Sequence, residues 1–191
     1  MDFNKEKIEF LSKKDKSRKK GIDSKIKKLV NKINSFDDFF TTSSCSGRIL
    51  LLAHHKSGRK DKIKWLFSSH EKVNLKKIKF DELLKEIPRE DVWFRVEPAI
   101  LHITCGNLER AKKLLNTARD IGFRRSGIIS VGKNRIVIEL VSTERIETVI
   151  SRNGKLLVDE GYFKVLIEEG NKKLERTWGK VGKLCEKINI E

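Results

Sequence analysis

Small polar side chains form a continuous run near the start of the chain, and they have the chemistry of an anion-binding surface. The run extends from Thr41 to Ser46, and Gly47 and Arg48 follow it directly. Hydroxyl groups donate hydrogen bonds, and a glycine lets a ligand approach the backbone closely. The arginine adds a planar guanidinium that can bind a carboxylate or phosphate through two parallel hydrogen bonds. The segment predicts an anion site, although a polar hairpin or edge strand fits the same residue types.

A second candidate group surrounds Trp65, because Ser69 and His70 follow at the end of the same predicted strand. Lysines flank this tryptophan at positions 62 and 64. A tryptophan between lysines can stack on an unpaired base, as in proteins that bind single-stranded RNA, or it can fill half-buried core. A histidine at a polar strand end is a candidate acid or base.

Charged side chains also interrupt an apolar pair of predicted strands. Arg95 and Glu97 share one side of the first strand with Trp93. The two charged residues either pair with each other or bind the charged ends of a ligand. In the second strand, His102 alternates with apolar neighbours, where a histidine is either a hydrogen-bonded core residue or a base.

Three cysteines, Cys45, Cys105 and Cys185, are far apart in the sequence and include no Cys-x-x-Cys pair. Their odd number and spacing favour a reducing, cytoplasmic setting and disfavour a structural zinc site. The histidine pair at 54–55 lacks a carboxylate or cysteine at a ligand spacing, so we predict no metal site. Cys45 lies in a polar segment near Arg48, which can favour a thiolate and makes a cysteine enzyme a hypothesis.

The overall charge indicates a polyanionic partner. The chain of 191 residues carries a formal net charge of +16 and has a pI near 9.8. Such a surface attracts nucleic acid first and an anionic membrane second. We expect no membrane partner, because no apolar run is long enough to cross a bilayer and the start of the chain lacks the apolar core of a signal peptide. The glycine motifs of Rossmann nucleotide sites and P-loops are also missing.

Helical periodicity marks both ends of the chain. Residues 1–35 form a basic helical segment, and in residues 1–32 there are 12 lysines and arginines against 5 acids. This charge is either a solvated face or an RNA-backbone contact. Asn107 is a suitable N-cap and Gly122 a suitable C-terminal residue for a central helix, and a short helix at 80–86 precedes Pro88. We predict C-terminal helices over 160–189, with breaks at Gly170, Gly179 and Gly182.

Strand-like alternation fills the middle of the chain. The predicted strands are 39–44, 48–54, 63–68, 92–96, 99–105, 127–131, 135–141, 145–150 and 156–158. This order predicts an α+β fold, with a mixed and largely antiparallel sheet and helices packed on it, in a single domain over 1–191. The similar openings Ser46-Gly47-Arg48 and Ser126-Gly127-Ile128, each before a strand, raise an internal duplication as a hypothesis.

In order along the chain, these motifs resemble those of the tRNA wybutosine-synthesising methyltransferase family, in its archaeal single-domain branch. The specific element is Ser43-Ser44-Cys45-Ser46-Gly47-Arg48, and the similarity covers about residues 36 to 141. The supporting motifs are Trp65 with Ser69-His70, Trp93-Phe94-Arg95-x-Glu97-Pro98, His102, and Gly122-Phe-x-x-Ser126-Gly127.

The resemblance implies methyl transfer from S-adenosylmethionine to a ring nitrogen, N4, of the wyosine-type tricyclic base 3′ of the anticodon in hypomodified phenylalanine tRNA. The resemblance does not itself assign residue roles; our mechanistic hypothesis is that the segment from Ser43 to Arg48 holds an anionic group and that His70 or His102 accepts a proton. The remaining predicted binding residues are Trp65, Ser69, Trp93, Arg95 and Glu97. The alternative is a non-catalytic RNA-binding module, and neither interpretation specifies an oligomeric state.

Overall fold

The computed structural model of the chain describes residues 2–13, 21–54, 63–74, 87–133 and 135–189. The chain forms two compact units: unit 1 comprises residues 1–46, 99–143 and 177–191, and unit 2 comprises residues 47–98 and 144–176. None of the helices in the described ranges has the length and apolar composition needed to cross a membrane. The single-domain arrangement over 1–191 stays a prediction.

The described elements are four helices and nine strands. In chain order they are α1 (Phe3–Ser12), α2 (Ser24–Ser35), β1 (Phe39–Cys45), β2 (Arg48–His54), β3 (Lys64–Ser69), β4 (Asp91–Glu97), β5 (Ile100–Cys105), α3 (Leu108–Ile121), β6 (Gly127–Val131), β7 (Ile136–Val141), β8 (Ile146–Arg152), β9 (Lys155–Leu156) and α4 (Glu160–Lys187). The predicted helix at 80–86 and the predicted connection at 55–61 lie outside the described residues.

Unit 1 contains a four-stranded sheet in the order β1-β5-β7-β6, and each neighbouring pair is antiparallel. Helix α2 buries one apolar face, consisting of Ile26, Leu29, Val30 and Ile33, against the core of this unit. Its lysines occupy the remaining surface because apolar residues recur at helical spacing only on the buried side. The end of α4, from residue 177, contributes Val181 and Leu184 to the same core.

Helix α3 confirms both predicted end signals. The side chain of Asn107 accepts a hydrogen bond from the backbone N–H of Arg110 at 2.9 Å, so it satisfies a donor that the first turn leaves free. Gly122 follows the helix with a φ of 115°, a left-handed conformation in which a side chain would be strained. The sequence alone therefore determines where this helix begins and ends.

Unit 2 contains a five-stranded antiparallel sheet in the order β3-β2-β4-β8-β9. Strand β4 alternates between buried and half-buried residues, and its buried Phe94 packs edge-on against Phe163 of α4, with ring centroids 6.3 Å apart. Because successive residues of a strand face opposite sides, the other face of β4 carries Trp93, Arg95 and Glu97. Helix α4 therefore covers one face of the sheet, and the half-buried Trp93, Arg95 and Glu97 lie on the opposite face.

Two predictions about individual elements need correction. The breaks predicted at Gly170, Gly179 and Gly182 are wrong, because α4 is continuous from Glu160 to Lys187. At Gly170 an added Cβ would lie 3.1 to 3.3 Å from three buried side chains of unit 2. The glycine is therefore explained by close packing of the helix and not by a break in it. The last predicted strand, 156–158, is instead β9 at Lys155–Leu156.

The α+β class and its antiparallel character are confirmed. The strands form two sheets, whereas the sequence predicted one. Every described strand pair is antiparallel, so the described residues contain none of the parallel pairing that a mixed sheet requires. The internal duplication stays a hypothesis.

Candidate active site

Three neighbouring strands of unit 1 align Ser43, His102 and Glu139 in one row across the sheet. Ser43 of β1 is the register partner of His102 of β5, which in turn pairs with Glu139 of β7. The Ser43 Oγ lies 3.1 Å from His102 Nδ1, and His102 Nε2 lies 2.8 Å from a Glu139 oxygen. Cross-strand partners point to the same face of a sheet, which is why three residues distant in sequence can form one hydrogen-bonded chain.

A bulge in β1 selects the serine that joins this chain. The register shifts between Thr41 and Ser43, so that Ser43 replaces Thr42 opposite His102. Thr42 instead donates through Oγ1 to the His102 carbonyl oxygen at 3.3 Å. Bulges re-aim side chains in this way near functional sites.

The contacts of His102 also define how its ring is used. An ionised carboxylate only accepts hydrogen bonds, so Nε2 carries the proton that Glu139 binds. In the neutral imidazole Nδ1 is then an acceptor, and the exposed Ser43 hydroxyl donates to it. This arrangement can receive a proton at the serine end and stabilise the resulting imidazolium at the glutamate end, which is the logic of a catalytic triad.

Ser46, at the end of the predicted anion-binding run, is held entirely by protein groups. Its backbone N–H and its hydroxyl both donate to the carboxylate of Asp23, at 2.9 and 3.1 Å. Its carbonyl oxygen accepts the indole N–H of Trp178 at 3.0 Å. Asp23 is only 6% exposed, so this contact is shielded from solvent. Ser46 therefore positions the segment, and the half-buried Ser44 and Cys45 precede it in β1.

Gly47 begins unit 2 with a φ of 95°, in the left-handed region. A residue with a Cβ is strained there, so glycine is required by the backbone as well as by any close ligand approach. The sequence prediction that this glycine has a special role is consistent with its conformation.

Arg48 lies on the charged face of the unit 2 sheet with four other predicted residues: Trp65, Trp93, Arg95 and Glu97. The Arg48 Nε donates to Glu97 Oε2 at 2.7 Å, and the guanidinium lies 4.7 Å from the centroid of the Trp65 ring. The pair is not sealed inside, because the two side chains are 28% and 35% exposed. Within the described ranges the terminal nitrogens of Arg48 form no hydrogen bond, so they can still bind an anion.

The alternative in which Arg95 pairs with Glu97 is wrong, because each has a different partner. Arg95 forms an ion pair with Glu147 on β8 and lies 5.7 Å from the Trp93 ring centroid. The Nε of Arg95 is buried and has no hydrogen-bond partner among the described residues. Both arginines on this face thus combine a carboxylate partner with an indole.

Ser69 and His70 lie at the end of β3 in unit 2. The Ser69 hydroxyl donates to the Glu71 carbonyl at 2.9 Å and accepts the Glu71 N–H at 3.1 Å, which is a local turn contact. His70 follows as a half-buried residue. The structure gives a local structural reason for Ser69, while the catalytic role of His70 stays a prediction.

Three residues that the sequence reasoning passed over support the site: Asp23, Glu139 and Trp178. Asp23 had a visible signal, since it directly precedes α2 and resembles an N-cap, but it makes no cap hydrogen bond of its own. Glu139 is one polar residue in an alternating strand, and its pairing with His102 depends on sheet register. Trp178 appeared as part of a helical apolar stripe, and nothing local indicated its contact with Ser46.

The cysteines differ in exposure. Burial, with a smaller contribution from Asp38, raises the pKa of the Cys105 thiol from 9.0 to about 12. Cys185 is also buried, whereas Cys45 is half-buried and close in sequence to the candidate residues. No disulfide links these three thiols. Cys45 is therefore the accessible thiol of the chain.

Comparison with known proteins supports the resemblance suggested by the motifs. The model of the family described as Methyltransferase TYW3 matches residues 4–190. The chain is 38% identical over 172 residues to a tRNA(Phe) 7-((3-amino-3-carboxypropyl)-4-demethylwyosine(37)-N(4))-methyltransferase 1 of Pyrococcus horikoshii, covering 90% of this chain and 87% of that protein. It is also 38% identical over 179 residues to the human tRNA wybutosine-synthesizing protein 3 homolog, covering 91% and 67%.

Solved structures show the same fold. The structure of the PH1069 protein from Pyrococcus horikoshii matches with a TM-score of 0.80 and 38% identity, covering 90% of this chain and 86% of that one. A hypothetical protein from Aeropyrum pernix matches with a TM-score of 0.76 and 26% identity, covering 87% and 96%. Sequence, motifs and fold agree, and the chain therefore belongs to the TYW3 methyltransferase family.

Proposed function

We propose that this protein transfers a methyl group from S-adenosylmethionine to N4 of the wyosine-type tricyclic base 3′ of the anticodon in phenylalanine tRNA. The family membership and the names of the relatives support the reaction class and the substrate. The observation that carries the proposal is the Ser43–His102–Glu139 chain, because the row begins within the motif that defines the resemblance and can accept a proton.

The proposed reaction exchanges the hydrogen on the base nitrogen for a methyl group. When bound, S-adenosylmethionine supplies a methyl already activated on its sulfonium, so the protein mainly orients the reactants. The base nitrogen would form its bond to the methyl carbon as the carbon–sulfur bond of the donor breaks, the neutral thioether would leave with that electron pair, and the nitrogen would lose its proton. The Ser43 hydroxyl takes up that proton while it passes its own to His102 Nδ1, and Glu139 stabilises the charged ring.

The charged face of unit 2 has groups that suit an anionic ligand with a ring. The anion needs a donor such as a guanidinium, and the ring needs an aromatic or apolar surface. Arg48 has terminal nitrogens available within the described structure, and the Trp65 side chain is 44% exposed. We propose that Arg48 holds a carboxylate or phosphate, with Trp65 or Trp93 against a ring and Glu97 fixing the guanidinium.

The test is methyl transfer to phenylalanine tRNA isolated from a strain that lacks this activity. The purified protein, incubated with that tRNA and S-adenosylmethionine, is expected to add one methyl group to the tricyclic base, as measured by mass spectrometry of nucleosides. A protein that binds the tRNA but neither binds S-adenosylmethionine nor changes the mass of the base would instead be a non-catalytic RNA-binding module.

A further inference from the structure

A basic groove lies in unit 1 between α2 and the end of α4, apart from the Ser43–His102–Glu139 row. Its volume is about 400 Å³. Lys25, Lys28 and Lys32 line one side, and Trp178 and Glu186 line the other. Three positive charges against one negative charge leave a net charge of +2 in the lining. We refer to this groove as the lysine cradle.

The three lysines of the cradle form one stripe of α2. Residues three and four positions apart lie on the same face of a helix, so Lys25, Lys28 and Lys32 stand in a row. Like charges at these spacings destabilise a helix, and α2 contains no acidic residue to offset them. Within α2 these like charges repel one another, and a bound anion would relieve that repulsion.

Other contacts hold the cradle in place. The Lys25 ammonium lies 5.0 Å from the centroid of the Trp178 ring, a cation–π distance. Lys32 donates to the Cys185 carbonyl oxygen at 2.7 Å, which uses one of its three N–H groups. Trp178 donates its indole N–H to the carbonyl oxygen of Ser46. This hydrogen bond connects the cradle to the segment that contains Ser43.

We propose that the lysine cradle binds the phosphodiester backbone of the substrate RNA. This inference rests on the proposed function, since it assigns the RNA its position on unit 1. Lysines bind phosphates as point charges without regard to sequence, and such contacts set the register of a nucleic acid on a protein. Trp178, which lines the cradle, also donates its indole N–H to the carbonyl oxygen of Ser46, in the same segment as Ser43. The net charge of +16 favours this occupant over a neutral or basic peptide.

The test compares two double variants of the full chain that lose the same charge. Lys25→Gln with Lys28→Gln alters the cradle, whereas Lys27→Gln with Lys112→Gln removes exposed lysines that do not line it. Dissociation constants for a phenylalanine tRNA transcript are measured by fluorescence anisotropy over a range of KCl concentrations, without cofactor. The cradle variant is expected to bind about tenfold more weakly, and its salt slope to fall by about 1.5, while the control changes little.

Three outcomes decide the inference. It fails if cradle and control variants have equal affinities and slopes, or if the cradle variant loses binding to phosphatidylserine vesicles but not to tRNA. A Lys25→Arg with Lys28→Arg protein that recovers affinity would support the charge contact over a folding defect. Binding is measured without methyl transfer, so the two proposals can fail separately. If the cradle and control variants differ as expected but the wild-type protein transfers no methyl group, the RNA-binding inference is supported and only the proposed function is contradicted.

Discussion

At the scale of single residues, Arg48 combines a hydrogen bond with an aromatic contact. Its Nε donates to Glu97, and its guanidinium lies against Trp65. Both contacts fix the orientation of the planar group while the terminal nitrogens point to no described partner. Such a guanidinium is preorganised, since little rotamer freedom is left to lose when an anion binds.

Arg48→Ala is expected to lower kcat/KM for methyl transfer by about 10- to 100-fold, because a charged hydrogen bond contributes about 1.5–3 kcal/mol. Arg48→Lys should recover only part of the loss, since an ammonium cannot bind bidentately. Steady-state kinetics with tRNA and S-adenosylmethionine measure both. Arg152→Ala is the control, because it removes an exposed ion pair to Asp91 in the same sheet. A folded Arg48→Ala protein with normal kinetics would discredit the anion-binding role.

Cys105 predicts a dependence of stability on alkaline pH. Its folded pKa is raised to about 12, so the folded thiol stays protonated while the thiol of the unfolded chain ionises near 9.0. This contribution to the free energy of unfolding is complete below the unfolded pKa. It declines as pH rises toward the folded pKa, by up to about 1.4 kcal/mol per pH unit.

Urea unfolding between about pH 8 and 11 measures this decline, and Cys105→Ala provides the comparison. The wild-type protein is expected to lose more stability than the variant over that range. Parallel loss in the two proteins would show that other groups, such as lysines, account for all of the pH dependence.

The sequence identified most residues of the candidate site by type but did not show how they pair. His102 was ambiguous because alternation with apolar residues fits both a core histidine and a base. Its partner Glu139 and the bulge that places Ser43 depend on which strands are neighbours, and local patterns do not identify those neighbours. Ser46 was predicted to bind ligand, yet Asp23 and Trp178 occupy its polar groups.

At the scale of elements, the glycines of α4 have different surroundings in one continuous helix. A Cβ on Gly170 would lie within 3.1 to 3.3 Å of Val96, Ile49 and Phe94, whereas Gly179 has nothing within 4 Å. Gly170→Leu is therefore expected to destabilise the protein by about 1–3 kcal/mol through overpacking. Gly179→Ala should stabilise it by about 0.5–1 kcal/mol, because alanine favours the helix.

Chemical denaturation of the two variants beside the wild-type protein measures these changes. Equal effects of the two substitutions would contradict the packing explanation for Gly170. The sequence predicted α3 well because its end residues are local signals, and the apolar periodicity that indicated α2 is local too. The sequence failed to predict a continuous α4 because the low helix propensity of glycine indicated breaks at Gly170, Gly179 and Gly182. Tertiary packing instead determines the conformation of this helix.

At the scale of the whole molecule, the net charge of +16 favours electrostatic binding to the phosphate backbone of RNA. Raising KCl from about 50 to 200 mM is expected to weaken tRNA binding by at least about tenfold, because each neutralised phosphate releases counterions. An unrelated tRNA should show a similar salt dependence at lower affinity. Binding measured by anisotropy tests this expectation, and affinity that does not depend on salt would rule out a backbone-dominated interface.

Composition predicted this partner class, and strand patterns predicted the α+β class. The division of nine strands between two sheets could not be predicted, because hydrophobic alternation gives the face of a strand but not its neighbour. Strand β5, for example, pairs with β1 and β7, which are distant from each other in sequence. The Ser43–His102–Glu139 row exists only because of that arrangement.

The central claim is that the Ser43–His102–Glu139 row accepts the proton released in methyl transfer. It is tested most directly by single-turnover rates of methyl transfer to hypomodified phenylalanine tRNA for wild type, His102→Gln and Glu139→Gln, with cofactor and tRNA affinities measured in parallel. We expect His102→Gln to slow the reaction by about 10²- to 10⁴-fold and Glu139→Gln by less, with both affinities retained. A His102→Gln protein that transfers methyl at the wild-type rate would contradict the account.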